Sequence, residues 1–218
     1  RDPETGDIIR GMPNEVYHNH ESISNSGLSL IARSPAHYRY APPRQPTRAM
    51  VIGNALHSCL LEPEIFDRDF VNSGTEDRRA AAYKQAVSAV GNPERVLTQP
   101  EHDNIRMCVE SVHSQETPRL LINSATEREL SVFTIDPETG VTVRIRPDIW
   151  CQNSGVMADV KKTQDARAPA FERSILNYRY HVQAAFYMDA WQWATGEAVE
   201  EFLFLAIEDA PPHASKIY

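Results

Sequence analysis

The stretch "VRIRPDIWCQNSGVMADVKKT", residues 143–163, decides how the rest of the chain is read. Strand-like runs flank "QNSG", a cluster of turn residues, so the stretch reads as two short strands joined by a reversal. The loop is either Asn153-Ser154 alone or all of residues 152–155. Both choices are centred on the same point and give one register, in which Asp148 stands opposite Asp159. Opposed β-carbons on antiparallel strands lie about 4.5–5.5 Å apart, and like charges placed there repel. A cation between the two carboxylates would remove the conflict.

Because strand side chains alternate, Asp159 and Lys161 share a face while Val160 points the other way, into the core. Two carboxylates and an ammonium therefore converge. Hard divalent ions such as Mg²⁺ take oxygen ligands, commonly one or two carboxylates completed by phosphate and water. Such an ion lowers the pKa of water and stabilises charge on a phosphate, and a lysine beside it can orient or deprotonate the attacking water. These are the needs of phosphodiester hydrolysis. Short acidic patterns also abound on solvated hairpins, and this motif taken alone fits a solvated hairpin better than a nuclease site.

Working outward, "ELSVFTI" and "VTVRIR" alternate on either side of "DPETG", residues 136–140, and predict a second hairpin. The same five letters stand at residues 2–6, before "DIIR", as turn chemistry used twice rather than a domain repeat. "GVMADVKK" is a third strand of the meander and "EEFLFLAI" a final apolar one. "ISNSGLSLIARSPAHYRY" predicts a helix capped by Ser24 or Ser26 and ended at Ser34-Pro35. After the connector "APPRQPT", the residues Met50, Ile52, Leu56 and Leu60 set a helical period that runs to Pro63. Residues 77–90 form an alanine-rich helix, 100–115 a weaker one and 169–194 a long one. Helices, a strand meander, a helix and a strand predict an α/β (α+β) domain spanning residues 1–218.

Composition narrows the function classes. At 218 residues and 41% apolar content, the chain is long enough to bury the core of one domain. It shows no apolar run of membrane-spanning length and no leader, which predicts a soluble cytoplasmic protein. It begins without methionine and stops just after "SKIY", as expected of a piece excised from the C-terminal part of a longer protein. Cys59, Cys108 and Cys151 are odd in number and widely spaced, which argues against a disulfide framework or a cysteine zinc site. The net charge of −8 alone counts against nucleic-acid binding, although acids that hold cations contribute to that total without their ions.

Two further constellations lie in the order a metal nuclease needs. "GNALH" places Gly53 and His57 one helical turn apart, with His57 an imidazole ligand or a core histidine and Gly53 permitting close approach of another backbone. "HVQAAFY" places Gln183 and Tyr187 one turn apart, with Arg179 a turn earlier, either to support substrate or as the polar edge of a buried helix.

Together, Gly53-x-x-x-His57, Arg146-Pro147-Asp148, Asp159-Val160-Lys161 and Gln183-x-x-x-Tyr187 resemble the motifs of the PD-(D/E)XK nucleases of the RecB and lambda-exonuclease type. "SISNSGLSLIARSPAHYRY" and "IGNALHSCLLEPEIF" resemble, more narrowly, the RecE-type C-terminal nuclease domains. The resemblance implies a restriction-endonuclease-like core, a central mixed sheet flanked by helices. It also implies an exonuclease that digests one strand of linear double-stranded DNA from the 5′ end with Mg²⁺ or Mn²⁺, leaving a 3′ tail for recombination and repair. A ring-shaped homotetramer and a RecT-type single-strand annealing partner are implied as well. By motif, His57, Asp148, Asp159 and the carbonyl of Val160 would hold metal, Asp148, Asp159 and Lys161 would be catalytic, and Gln183, Tyr187 and Arg179 would serve the substrate side. Asp159 stands where many relatives carry the longer Glu, and relatives extend beyond the position of Tyr218. Candidate phosphate contacts are Arg78, Arg79, Arg144, Arg146, Lys162, Arg167, Arg173 and Arg179. A catalytically silent DNA-binding or assembly module and an endonuclease of the same fold are the alternatives.

Overall fold

The computed structural model describes residues 5–42 and 45–218. The chain opens with strand β1 (Ile8–Ile9) and three short helices, α1 (Asn14–Asn19), α2 (Asn25–Ile31) and α3 (Pro35–Arg39). Ser24 caps α2 by accepting from the Gly27 N–H. Helix α2 ends at Ile31, short of the Ser34-Pro35 expected to stop it, and Ser34-Pro35 instead starts α3, with Ser34 as cap and Pro35 inside the first turn. Next come α4 (Arg48–Leu61), α5 (Pro63–Asp69), β2 (Val71–Asn72), α6 (Ala81–Val90), β3 (Val96–Leu97), α7 (Gln99–Ser114) and α8 (Glu116–Ser124). Helix α7 is sixteen residues long and starts on a capping box between Thr98 and Glu101, so the segment expected to be weakly helical is well defined. Helix α6 begins at Ala81 rather than 77, because Asp77–Ala80 is a turn.

The second half carries β4 (Glu127–Arg128), β5 (Ser131–Ile135), β6 (Thr142–Ile145), β7 (Ile149–Cys151), β8 (Val156–Thr163), α9 (Ala168–Asn177), α10 (Tyr180–Thr195), β9 (Glu201–Glu208) and β10 (Ser215–Ile217). Strand β9 is therefore not the last. The single helix expected over 169–194 is two, divided at Tyr178-Arg179, where Arg179 adopts a left-handed φ of 57°. The apolar period continues across this break, which is why the sequence does not reveal it. The repeated "DPETG" at residues 2–6 lies partly outside the described residues.

Both hairpins form. Around "QNSG" the pairs are Ile149–Ala158, Trp150–Met157 and Cys151–Val156, the predicted register, and residues 152–155 make the four-residue turn. Around "DPETG", β5 pairs β6 from Val132–Ile145 to Ile135–Thr142. The expected continuous meander is nevertheless divided: β5 and β6 join β1 in a three-stranded sheet, whereas β7 and β8 belong to a five-stranded sheet of order β10-β9-β8-β7-β4. Pro147 lies between the two sheets, and lacking an N–H it cannot continue a ladder.

Contacts divide the chain into two compact units. One comprises the described residues of Arg1–Arg44 with Ser124–Asp159 and Pro169–Leu203; the other comprises Gln45–Asn123, Val160–Ala168 and Phe204–Tyr218. In the first, α10 lays Phe186, Tyr187, Ala190 and Trp191 against Val132, Val143, Ile145, Trp150 and Met157. The Trp150 and Trp191 ring centres are 4.5 Å apart. In the second, Leu56, Phe66, Ile105, Leu205 and Ile207 are among the fully buried side chains. Each such side chain contributes about 1.5–3 kcal/mol through loss of apolar surface to water. The three cysteines are free and buried. Among the described residues, no helix is long and apolar enough to cross a membrane.

The "QNSG" turn depends on Gly155, whose φ is +66° and whose added β-carbon would lie 2.7 Å from Cγ of Glu200. A non-glycine residue in the left-handed region costs about 1–2 kcal/mol before any clash. Gly155→Ala is expected to lower the unfolding free energy by about 2 kcal/mol, measured as a fall in the urea midpoint at unchanged m-value.

Candidate active site

Asp159 lies on β8, a strand with a neighbour on each side, and its run Met157-Ala158-Asp159-Val160 is buried. A carboxylate at 3% exposure there needs donors, because an unpaired buried charge is costly. One is Gln183 of α10, whose Nε2 donates to Oδ1 of Asp159. Gln183, proposed from sequence for the substrate side, thus bonds to an acid of the candidate site.

The rung beyond Ile149–Ala158 places Asp148 opposite Asp159. Asp148 is itself buried. On its other side the ladder supplies a residue that the sequence analysis missed. Strand β4 pairs Arg128 with Ile149, and β5 resumes with Val132 opposite Ile145, so the two segments share one register across the interruption. That register puts Glu129 opposite Asp148. The Glu129 N–H donates to the Asp148 carbonyl at 3.2 Å, and a carboxylate oxygen of each lies within 4.8 Å of the other. Glu129 has a φ of 48°, a left-handed conformation unusual for glutamate. A row of three acids, Glu129, Asp148 and Asp159, therefore crosses neighbouring strands. The turn letters alone do not select it: a hairpin centred on "DPETG", residues 136–140, would oppose Asp148 to Arg128, whereas the observed pairing, with Asp136 and Val141 flanking the turn, brings Glu129 there instead.

The donor set is oxygen-rich and anionic, which suits a hard divalent cation. Lys161, half-buried, follows Asp159 by two residues on the same strand, and Val160 between them is 1% exposed. His57 is half-buried on α4 in the other unit. The close backbone approach expected at Gly53 is not seen: a β-carbon there would meet nothing within 4 Å. Tyr187 is buried beside Asp148 and Asp159, and desolvation, with added repulsion from Tyr17 and both acids, raises its hydroxyl well above the usual range. Its hydroxyl stays a neutral hydrogen-bonding group.

Several expected phosphate contacts are occupied within the protein. Arg144 and Arg146 are both buried and bond to the segment preceding α2 and to Ser131. Their residues alternate with apolar ones along the strand, and its inward face explains why charge in the sequence did not mean charge at the surface. Lys162 pairs with Asp209 at 2.5 Å, Arg167 with Asp165 at 2.7 Å and Arg79 with Asp77 at 3.1 Å. Arg78 and Arg173 are exposed. Arg179 is the N-cap residue of α10 rather than part of the helical stripe, and its carbonyl accepts from the Val182 and Gln183 N–H groups at 3.0 and 3.2 Å.

Two outcomes follow from this geometry. Gln183→Leu removes a donor from a buried carboxylate and is expected to destabilise the fold by about 1–3 kcal/mol, read from denaturant unfolding, whereas Gln183→Glu, which adds a like charge, should be worse. Tyr17, buried, has its hydroxyl raised from 10.0 to about 12, chiefly by desolvation. The unfolded chain then releases this proton first, so the stabilisation is complete below pH 10 and is lost as pH rises towards 12. Relative to Tyr17→Phe, the wild type should lose about 1.4 kcal/mol between pH 8 and 11, measured by urea unfolding at both values.

A crystal structure of a protein from Eubacterium rectale described as a "Putative exonuclease", determined at 2.19 Å resolution, superposes with a TM-score of 0.65 over 95% of this chain and 77% of its own. At 14% identity the likeness is one of fold. No curated protein matches the chain. Residues 24–218, which include every motif residue above, match a family described as a PDDEXK-like domain of unknown function (DUF3799). The register that aligns Asp148 with Asp159, the adjoining lysine strand and the mixed α/β fold agree with that match, and the chain belongs to this PDDEXK-like family.

Proposed function

We propose that this chain is a metal-dependent exodeoxyribonuclease that hydrolyses one strand of linear double-stranded DNA. The observation that carries the reading is the acid row Glu129–Asp148–Asp159, with Lys161 two residues beyond Asp159 on β8. Asp148 and Asp159, joined by Glu129, would hold Mg²⁺ or Mn²⁺, and the motif adds the Val160 carbonyl and His57 as further ligands. A divalent ion bound there supplies acidification of water and neutralisation of phosphate charge.

Lys161 would orient the attacking water as the ammonium or, as the neutral amine, take its proton. Gln183 keeps Asp159 fixed through its hydrogen bond, so the carboxylate does not have to be reorganised during the reaction. Tyr187, held neutral by burial, and Arg179, at the start of α10, serve the scissile phosphate. Arg78 and Arg173 remain candidates for phosphate contacts that carry no sequence information.

Exonucleolytic action, 5′ to 3′ polarity and the 3′ tail for recombination rest on the RecE-type motif resemblance, and so do a homotetrameric ring and a RecT-type annealing partner. The three free cysteines accord with a reducing, cytoplasmic setting.

The test is incubation with linear and covalently closed duplex, each with Mg²⁺ or with EDTA. Nucleotide release from linear DNA only, and only with metal, is the expected result. Nicking of the circle would point to an endonuclease, and absence of metal-dependent cleavage of either would leave a silent module. Lys161→Ala should lower cleavage by at least about a hundredfold while calorimetric Mn²⁺ binding is retained; Asp159→Ala should lose both. Equal loss of metal affinity in the two variants would refute this division of roles between Lys161 and Asp159.

A further inference from the structure

The segment from Met12 to Ser22 precedes residue 24, where the match to the family begins. It is nonetheless bonded to the strand that leads into Asp148. Arg146 donates from Nε to Ser131 Oγ at 2.9 Å, from Nη2 to the Met12 carbonyl at 3.1 Å and from Nη1 to Oδ1 of Asn14. Its guanidinium carbon lies 4.1 Å from the Tyr17 ring centre. Two residues earlier, Arg144 donates to the carbonyls of His20 at 2.7 Å and His18 at 3.2 Å, to the Ser22 carbonyl and to Ser22 Oγ at 3.2 Å. Its guanidinium carbon is 5.2 Å from the same ring. Tyr17 is 6% exposed, and its electrostatic neighbours include Glu129 and Asp148 as well as the two arginines.

An arginine buried to 8% exposure is held wherever its acceptors are, because its rigid fork must satisfy several N–H groups at once. Arg146 is followed by Pro147, whose ring fixes φ, and then by Asp148. The position of the Asp148 carboxylate is thus coupled through one stiff residue to the anchoring of Arg146. We propose that Met12–Ser22 is a clamp on the metal seat, in which Asn14 and Tyr17 are positioning residues that set Asp148 through Arg146. This inference rests on the metal-dependent reading above.

The clamp predicts a loss of metal affinity separable from loss of stability. In the full chain, Asn14→Ala removes an acceptor of Arg146, Asn14→Asp retains it, and Arg144→Lys loosens the His18–Ser22 end without touching the Asn14–Arg146 bond. Mn²⁺ binding is measured by calorimetry without DNA, alongside thermal melts. Asn14→Ala should weaken Mn²⁺ binding roughly 10-fold, the scale of removing a group that orients a ligand, with Asn14→Asp restoring affinity. Arg144→Lys should lower the melting temperature but leave affinity within about 2-fold, a small fraction of that effect. Unchanged affinity in Asn14→Ala, or loss in both variants in proportion to their destabilisation, would overturn the clamp alone. A folded wild type that neither binds Mn²⁺ nor cleaves DNA would overturn the nuclease reading and the clamp with it.

Discussion

Asp148 is opposed by an acid on each side, Glu129 through the "DPETG" register and Asp159 through the "QNSG" register. Three carboxylates on adjacent strands, two of them buried, make an arrangement that a fold without use for it would not favour: like charges repel on opposing positions, and burial raises the cost of each. The surrounding structure answers that cost. Gln183 donates to Asp159, and the chain leaves one sheet for another at this row, so that the acids sit where ladder bonding is interrupted.

The sheet change has two halves. Pro147 ends β6 because it has no N–H to give, and the left-handed Glu129 separates β4 from β5 on the neighbouring segment. The Glu129 N–H to Asp148 carbonyl bond closes the gap between them. Local strain at a non-glycine residue with positive φ persists only where its surroundings fix it, and here those surroundings are the ladders on either side. The segment that leads into Asp148, β6 and the Arg146 after it, directs Arg144 and Arg146 into the protein, where carbonyls, Ser22, Asn14, Ser131 and the Tyr17 ring receive them. Both arginines are thereby engaged within the protein rather than presented at its surface.

Much of this was legible in the residues. The strand periods, both hairpins, the register across "QNSG" and the helical face of Gln183 and Tyr187 follow from local pattern, because a turn of known length fixes which positions oppose each other. What was not legible depends on partners distant in sequence. The break at Arg179 interrupts no apolar period; the use of Arg146 depends on residues more than a hundred positions earlier. Glu129 belongs with them, since a turn centred on "DPETG" would oppose Arg128 to Asp148, and neither the observed offset nor the left-handed backbone of Glu129 is written in the local pattern.

By itself, then, the sequence determined that Asp148 faces Asp159 with Lys161 two residues along the same strand, a consequence of turn length and the two-residue strand period. Only the tertiary structure decided that Glu129 completes the row, that Gln183 donates to Asp159 and that Arg144 and Arg146 face inward. The physical reason is that register is set by nearby covalent geometry, whereas the partner of a long polar side chain is chosen by whichever acceptors the folded chain brings within reach.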